Sequence, residues 1–162
     1  MNVLDLHPYL ATRRNHALEH ATIHMLSRKY ADKNLAGHSN PTGFFLFGDM
    51  STEDIHSAIN EAMTRLRAGE SELAIHPGCG TNLATTMVLP MTFASVPFQG
   101  TRSTRRLLLI PVALMFAVFG YFLSKPLGPW LQRNVTTEAD LGNLQVKEII
   151  AVRKGVHRII TK

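Results

Sequence analysis

Two long apolar segments occupy the middle of the chain. Residues 81–98 and residues 107–124 contain no charged side chain, and each has about 18 residues, the lower limit for a membrane-crossing helix. A soluble domain of this size could not bury two segments that are apolar on every side. The pattern therefore predicts a transmembrane helical hairpin over residues 81–124, with spans at residues 81–98 and 107–124. We expect an integral membrane protein that contacts membrane lipids.

The residues before this hairpin change from a helical to an extended pattern. Residues 8–30 lack glycine and begin with a proline suited to a first helical turn, so they predict a helix. Glycines around a run of phenylalanines predict short strands at residues 37–40 and 44–47. A further strand is expected at residues 71–75.

A second helix follows these strands. Ser51 is a favourable N-cap residue, acidic residues occupy the first turn after it, and Gly69 ends the apolar-periodic run. The tail beyond the hairpin alternates apolar and polar positions in places, which predicts one or two short strands. The whole pattern predicts an α+β fold with a soluble helix, strand and helix domain at residues 1–80, the membrane hairpin at residues 81–124 and a C-terminal tail at residues 125–162.

The charge distribution limits the possible partners. The chain has 17 Lys and Arg against 12 Asp and Glu, a formal net charge of +5, and a pI of about 9.7. The excess basic residues flank the apolar segments and do not form one long patch with interleaved aromatic residues. This argues against nucleic-acid binding and for contacts with lipid head groups. These residues are Arg102, Arg105, Arg106, Lys125 and Arg133.

The compartment is indicated by weaker signals. Basic residues flank both sides of the hairpin and do not decide its orientation. The first nine residues lack a basic region followed by an apolar run, so no cleavable signal peptide is expected, and the soluble domain is expected on the cytoplasmic side. The single cysteine, Cys79, excludes an intrachain disulfide. The sequence carries no signal for the oligomeric state.

The most specific chemical motif is His16-Ala17-Leu18-Glu19-His20, which has the H-x-x-E-H order of inverted zinc peptidases. Side chains at i and i+4 of a helix lie above one another, so His16 and His20 can direct ring nitrogens at one Zn²⁺. Glu19 flanks that face, where it can deprotonate or orient a metal-bound water. The motif therefore predicts a zinc site with Glu19 as the catalytic base. The competing interpretation is a hydrogen-bonded, metal-free histidine face.

A catalytic zinc needs a third protein ligand, and the sequence leaves several candidates. His24 lies 80° around the helix from His16 and is expected outside the set of ligands. His38, in a glycine-bounded turn, and Glu61, on the second helix, are the preferred candidates. The remaining candidates are His56, His76, Glu70, Glu72 and Cys79.

Part of the chain resembles the pitrilysin-type (insulysin-like) zinc metallopeptidases. The resemblance covers about fifty residues, from the H-x-x-E-H helix through Gly37-His38-Ser39-Asn40 and the following strand to Ser51 at the start of the second helix. In that family the two motif histidines bind zinc and the motif glutamate is the general base, which the resemblance implies for His16, His20 and Glu19. The family's downstream glutamate ligand has no match here, because its position falls in the first apolar segment.

Nearly the whole chain is similar to a family of uncharacterised small bacterial membrane proteins, a domain of unknown function. The similarity is carried by residues 15–22, Asn-His-Ala-Leu-Glu-His-Ala-Thr, and by residues 73–82, Leu-Ala-Ile-His-Pro-Gly-Cys-Gly-Thr-Asn, around a two-span hairpin. This resemblance implies no particular activity.

Two functions are compatible with these patterns. The first is a membrane-anchored, zinc-dependent metallopeptidase that cleaves a peptide or protein substrate near the membrane surface. The alternative is a non-catalytic membrane assembly or binding protein, in which the histidines hold a structural metal or form a metal-free face. An open site with three protein ligands favours the enzyme, whereas a closed tetrahedral site favours the binding protein.

Overall fold

The computed structural model describes residues 3–101 and 103–162, without the side chains of residues 103–105. Arg102 and the side chain of Arg105, two of the basic residues expected between the spans, lie outside this description. The helices are α1 (Tyr9–Lys29), α2 (Thr52–Arg67), α3 (Gly80–Ser95) and α4 (Ile110–Leu131), and the strands are β1 (Ala36–Asn40), β2 (Gly43–Phe47), β3 (Val146–Arg153) and β4 (Val156–Thr161).

The chain divides into two compact units. One contains the residues up to His76 together with Gln132–Lys162, and the other is Pro77–Leu131. The first unit is an α+β structure, as predicted, with a four-stranded antiparallel sheet in the order β1-β2-β4-β3. Strands β3 and β4 come from the segment after the apolar helices, so residues on both sides of these helices build one sheet.

The core of the first unit lies between the sheet and the two helices α1 and α2. Phe44 and Ile159 project from neighbouring central strands and are fully buried, as are Leu18 of α1 and Ile55 of α2. Each side chain of this size stabilises the fold by roughly 1.5–3 kcal/mol when it is removed from water. This packing holds α1, the helix that carries the histidine motif, against the sheet.

Local signals explain the boundaries of α2. The Ser51 hydroxyl accepts a hydrogen bond from the backbone N–H of Asp54 at 3.1 Å, as expected for an N-cap, and Gly69 adopts a φ of 95° just after the helix ends. The strand expected at residues 71–75 is wrong, because Ser71–Ala74 forms a 3-10 helix. Its glutamate and alanine are poor strand formers, and Ala74 is buried.

Helices α3 and α4 of the second unit pack as an antiparallel pair. Gly120 of α4 lies where an added Cβ would come within 2.9 Å of the Leu89 carbonyl oxygen, and the rings of Phe93 and Phe119 are 5.3 Å apart. Small residues of α4, including Gly120 and Ser124, are buried, whereas large apolar side chains are exposed. The exposed residues include Leu83, Met87, Val88, Met91, Leu114, Met115, Val118 and Phe122.

One helical stretch among the described residues, Arg106–Thr136, is long and apolar enough to cross a membrane. Only 17% of its most apolar window is buried, whereas a core helix of a soluble protein would be mostly buried. The expectation of two spans is therefore met for one helix only. Helix α3 has 16 residues, about 24 Å at 1.5 Å per residue, which is short of the roughly 30 Å hydrocarbon core. The chain continues after Ser95 as a 3-10 helix at Val96–Phe98, and the backbone becomes extended at Gln99.

Candidate functional site

Four histidines of the first unit lie side by side, and we refer to His16, His20, His24 and His76 as the histidine cluster. The first three follow one face of α1 at intervals of four residues, and His76 comes just after the 3-10 helix Ser71–Ala74. Ring centroids are 4.3 Å apart for His16 and His20, 5.7 Å for His20 and His76, and 4.8 Å for His24 and His76. The motif histidines are thus part of a larger group of imidazoles.

Backbone carbonyls fix the tautomer of the two motif histidines. The Nδ1–H of His16 donates to the Thr136 carbonyl oxygen at 2.9 Å, and the Nδ1–H of His20 donates to that of Ala74 at 2.6 Å. A carbonyl oxygen can only accept, so each Nδ1 carries the proton and each neutral ring has its lone pair on Nε2. One ring nitrogen of His16 and one of His20 lie within 4.8 Å of each other. Metal-binding histidines are commonly oriented by such hydrogen bonds.

The other two histidines are also suited to binding as neutral rings. The Nε2–H of His24 donates to the Ile75 carbonyl oxygen at 2.8 Å, which places its lone pair on Nδ1. Burial, followed by repulsion from His24 and His20, lowers the pKa of His76 from 6.5 to about 4. His76 is therefore neutral at pH 7, the form that a metal ligand requires.

Glu19 lies on the side of α1 that faces β1. Its side chain is buried, and Oε2 accepts a hydrogen bond from the Ser39 hydroxyl at 2.5 Å. A Cβ on Gly37 would overlap the Glu19 carboxylate, so the absence of a side chain at that position leaves room for it. The carboxylate predicted to act as a base is thus held by two residues of β1.

The two preferred candidates for a third ligand lie elsewhere in this unit. His38 stands between Gly37 and Ser39 on β1, and successive side chains of a strand point to opposite faces, so His38 is directed away from Glu19 and is exposed. Glu61 pairs with Arg28 at 3.1 Å. Arg28 is 12 residues beyond His16, or about 18 Å along α1.

The remaining sequence candidates, apart from His76, have neighbours of their own. His56 of α2 interacts with Asn60 at 3.1 Å between ring nitrogen and amide. Cys79 immediately precedes α3, where its Sγ accepts a hydrogen bond from the Thr81 N–H at 3.4 Å. Ion pairs join Glu70 to Arg65 and Glu72 to Arg133.

Sequence reasoning missed the contribution of a π-helical turn at Gln132–Thr136. The Thr136 carbonyl oxygen orients His16, and the Oε1 atom of Gln132 accepts the backbone N–H of His76 at 3.0 Å. In the sequence Gln132 is a neutral amide in a short uncharged stretch between Lys125 and Arg133, which does not distinguish a buried side chain from an exposed one. Both contacts join residues more than fifty positions apart in the chain, beyond the range of periodicity arguments.

The described residues define an α+β unit with a histidine cluster, interrupted in sequence by an apolar pair of helices. The chain belongs to the family described as a domain of unknown function (DUF6391), whose model matches residues 11–149. An uncharacterized protein of Picosynechococcus sp. (strain ATCC 27264 / PCC 7002 / PR-6) is 32% identical over 164 residues, which cover 91% of this chain and 75% of that protein. The expected membership of an uncharacterised family is confirmed. No solved structure matches this chain.

Proposed function

We propose that this protein binds zinc at the histidine cluster and hydrolyses peptide bonds close to a membrane surface. The observation that carries the proposal is the pair of hydrogen bonds from Nδ1 of His16 and His20 to backbone carbonyls. These bonds place the lone pairs on Nε2 of two rings that lie one helical turn apart. Such rings need little reorganisation to bind one ion at about 2.0–2.1 Å.

We propose His76 as the third protein ligand, because a catalytic zinc requires three. This role requires its ring to move closer to His16 and His20 when the ion binds. Its ring is 5.7 Å from that of His20, and its lowered pKa keeps it neutral. Three neutral imidazoles would leave the charge of a bound zinc undiminished, and the ion would supply Lewis-acid activation of a substrate carbonyl group. In this assignment His38 and Glu61, the candidates preferred from the sequence, are not ligands.

Glu19 is the base in the peptidase proposal, but its buried position also suits a second candidate function without catalysis. For catalysis its carboxylate must move a proton of the attacking water, as the H-x-x-E-H order suggests. Its burial and its hydrogen bond with Ser39 are, however, equally suited to a structural role within α1 and β1. The second candidate is therefore a non-catalytic membrane assembly or binding protein with a structural metal.

We further propose that α3 and α4 are both in the bilayer and that the first unit is cytoplasmic. Small residues between the helices and large apolar residues outside are typical of membrane helix pairs. Hydroxyl groups in these helices also bond to backbone carbonyls, as Thr85 does to Thr81 at 2.7 Å and Thr92 to Val88 at 2.8 Å. These bonds satisfy donors that would find no water in lipid.

Metal analysis of detergent-purified protein tests the zinc site. Wild type is expected to carry close to one zinc per chain, and His16→Ala, His20→Ala and His76→Ala are each expected to lose it. His56→Ala is the matched control, since His56 is an exposed histidine of α2. Unchanged zinc content in the His16→Ala/His20→Ala double variant would refute the site. Cys79→Ser tests whether the thiol three residues after His76 also contributes.

A paired measurement on Glu19→Gln separates the two candidate functions. The peptidase predicts that zinc is retained while cleavage of a broad peptide library falls on the order of a hundredfold or more. A structural site predicts zinc affinity reduced roughly ten- to a hundredfold and no cleavage by wild type. Glu61→Gln is the control, because Glu61 is an exposed carboxylate paired with Arg28 and Arg65.

A further inference from the structure

The side chain of Gln132 is fully buried beside the histidine cluster. Its Oε1 atom accepts the backbone N–H of His76 at 3.0 Å. A backbone N–H can only donate, so this contact fixes which end of the amide is oxygen and which is the NH₂ group. The Nε2 atom is buried and, within the described part of the chain, has no hydrogen-bond partner. The protein therefore holds an oriented amide donor that its own residues do not satisfy.

The backbone around Gln132 makes this donor rigid. The Gln132 carbonyl oxygen accepts two hydrogen bonds from Thr137, one from its N–H and one from its hydroxyl, both at 2.9 Å. Gln132 also begins the π-helical turn whose last residue, Thr136, orients His16. Short π-helical segments occur frequently at functional sites. One turn of the chain thus contacts the cluster twice, through a carbonyl to His16 and through an amide to His76.

Buried donors without partners are rare in native proteins because each one loses its hydrogen bonds to water. An unpaired buried donor in a native structure calls for an explanation such as a functional role or a bound partner. We propose that Nε2 of Gln132 donates a hydrogen bond to a carbonyl or carboxylate oxygen of a ligand held at the histidine cluster. This inference rests on the proposed metal site and adds to it a group that selects oxygen ligands, such as the carbonyl of a peptide.

A comparison of two small ligands, acetate and imidazole, tests this proposal. Their binding is measured on the Co²⁺-loaded, full-length protein in detergent. Acetate presents an oxygen that can accept from Gln132, whereas imidazole binds metal through nitrogen and offers no acceptor to the amide. The absorption spectrum of bound Co²⁺ reports the binding of both. In Gln132→Met, which has similar size and no polar group, we expect acetate affinity to fall about tenfold or more and imidazole affinity to stay within about twofold.

Gln132→Glu keeps an acceptor for the His76 N–H and removes the donor, so it covers the case in which Gln132→Met does not fold. It should bind Co²⁺ and imidazole like wild type and should bind acetate at least ten times more weakly. If Gln132 only positions His76, acetate and imidazole affinities fall together in Gln132→Met and both remain in Gln132→Glu, which overturns the proposal. Co²⁺ binding by wild type that His16→Ala abolishes supports the metal site independently of either result. A wild type that binds no Co²⁺ overturns both proposals.

Discussion

Replacing Gly37 by alanine tests how tightly β1 holds Glu19. Gly37 does not have a positive φ, so an alanine meets no backbone obstacle there. Its Cβ would instead lie 2.6 Å from Cγ of Glu19 and closer still to the carboxylate. Overpacking of this kind costs about 1–3 kcal/mol, while replacing a strand glycine recovers roughly 0.5–1 kcal/mol. We therefore expect a net loss of about 1–2 kcal/mol in the free energy of unfolding.

Thermal unfolding of the purified protein in detergent measures this loss. For a unit of about 100 residues it corresponds to a melting temperature lower by roughly 5–10 °C. Gly80→Ala is the control, because a Cβ there meets nothing within 4 Å. In a Glu19→Ala background the obstructing atoms are absent, so Gly37→Ala should cost little or nothing. An unchanged melting temperature in Gly37→Ala, or an equal loss in both backgrounds, would refute the contact between Gly37 and Glu19.

Two further predictions concern the membrane and acid stability. The protein should remain with the bilayer through high-salt and alkaline washes, since burial of α4 does not depend on surface charge, and release by salt alone would contradict this. Hydrogen bonds from Lys29, Tyr30 and the Ser51 hydroxyl lower the pKa of Asp54 from 3.8 to about 2. The stability that Asp54 contributes is complete above about pH 4 and is lost as the pH falls through 2. Asp54→Asn should therefore have a lower melting temperature than wild type at pH 6, and the two melting temperatures should converge near pH 2. A difference that stays constant with pH would contradict the Asp54 carboxylate charge as its source.

The local elements of the first unit could be predicted because their signals lie within a few residues. The N-cap at Ser51 and the glycine after α2 determine the bounds of that helix. The proximity of His16 and His20 follows from helical spacing alone, and the structure places their rings 4.3 Å apart.

The contacts that the sequence could not predict join residues that are far apart in the chain. The approach of His76 to His20 depends on how the 3-10 helix packs on α1, and no periodic pattern encodes that packing. Helical spacing alone puts Glu19 about 60° round α1 from His16. Its contact with Ser39 depends on which strand covers α1.

The position of β4 within the sheet has a consequence for biogenesis. This strand pairs with β2 on one side and β3 on the other, and it follows both apolar helices in the chain. While β4 is still inside the ribosome, the nascent hairpin of β1 and β2 lacks the neighbour that covers Phe44, and closing the sheet requires contacts across more than a hundred residues. The contacts that close the sheet therefore form only after both apolar helices have been synthesised. The apolar pair interrupts the sequence of the first unit, so synthesis of this pair precedes completion of that unit.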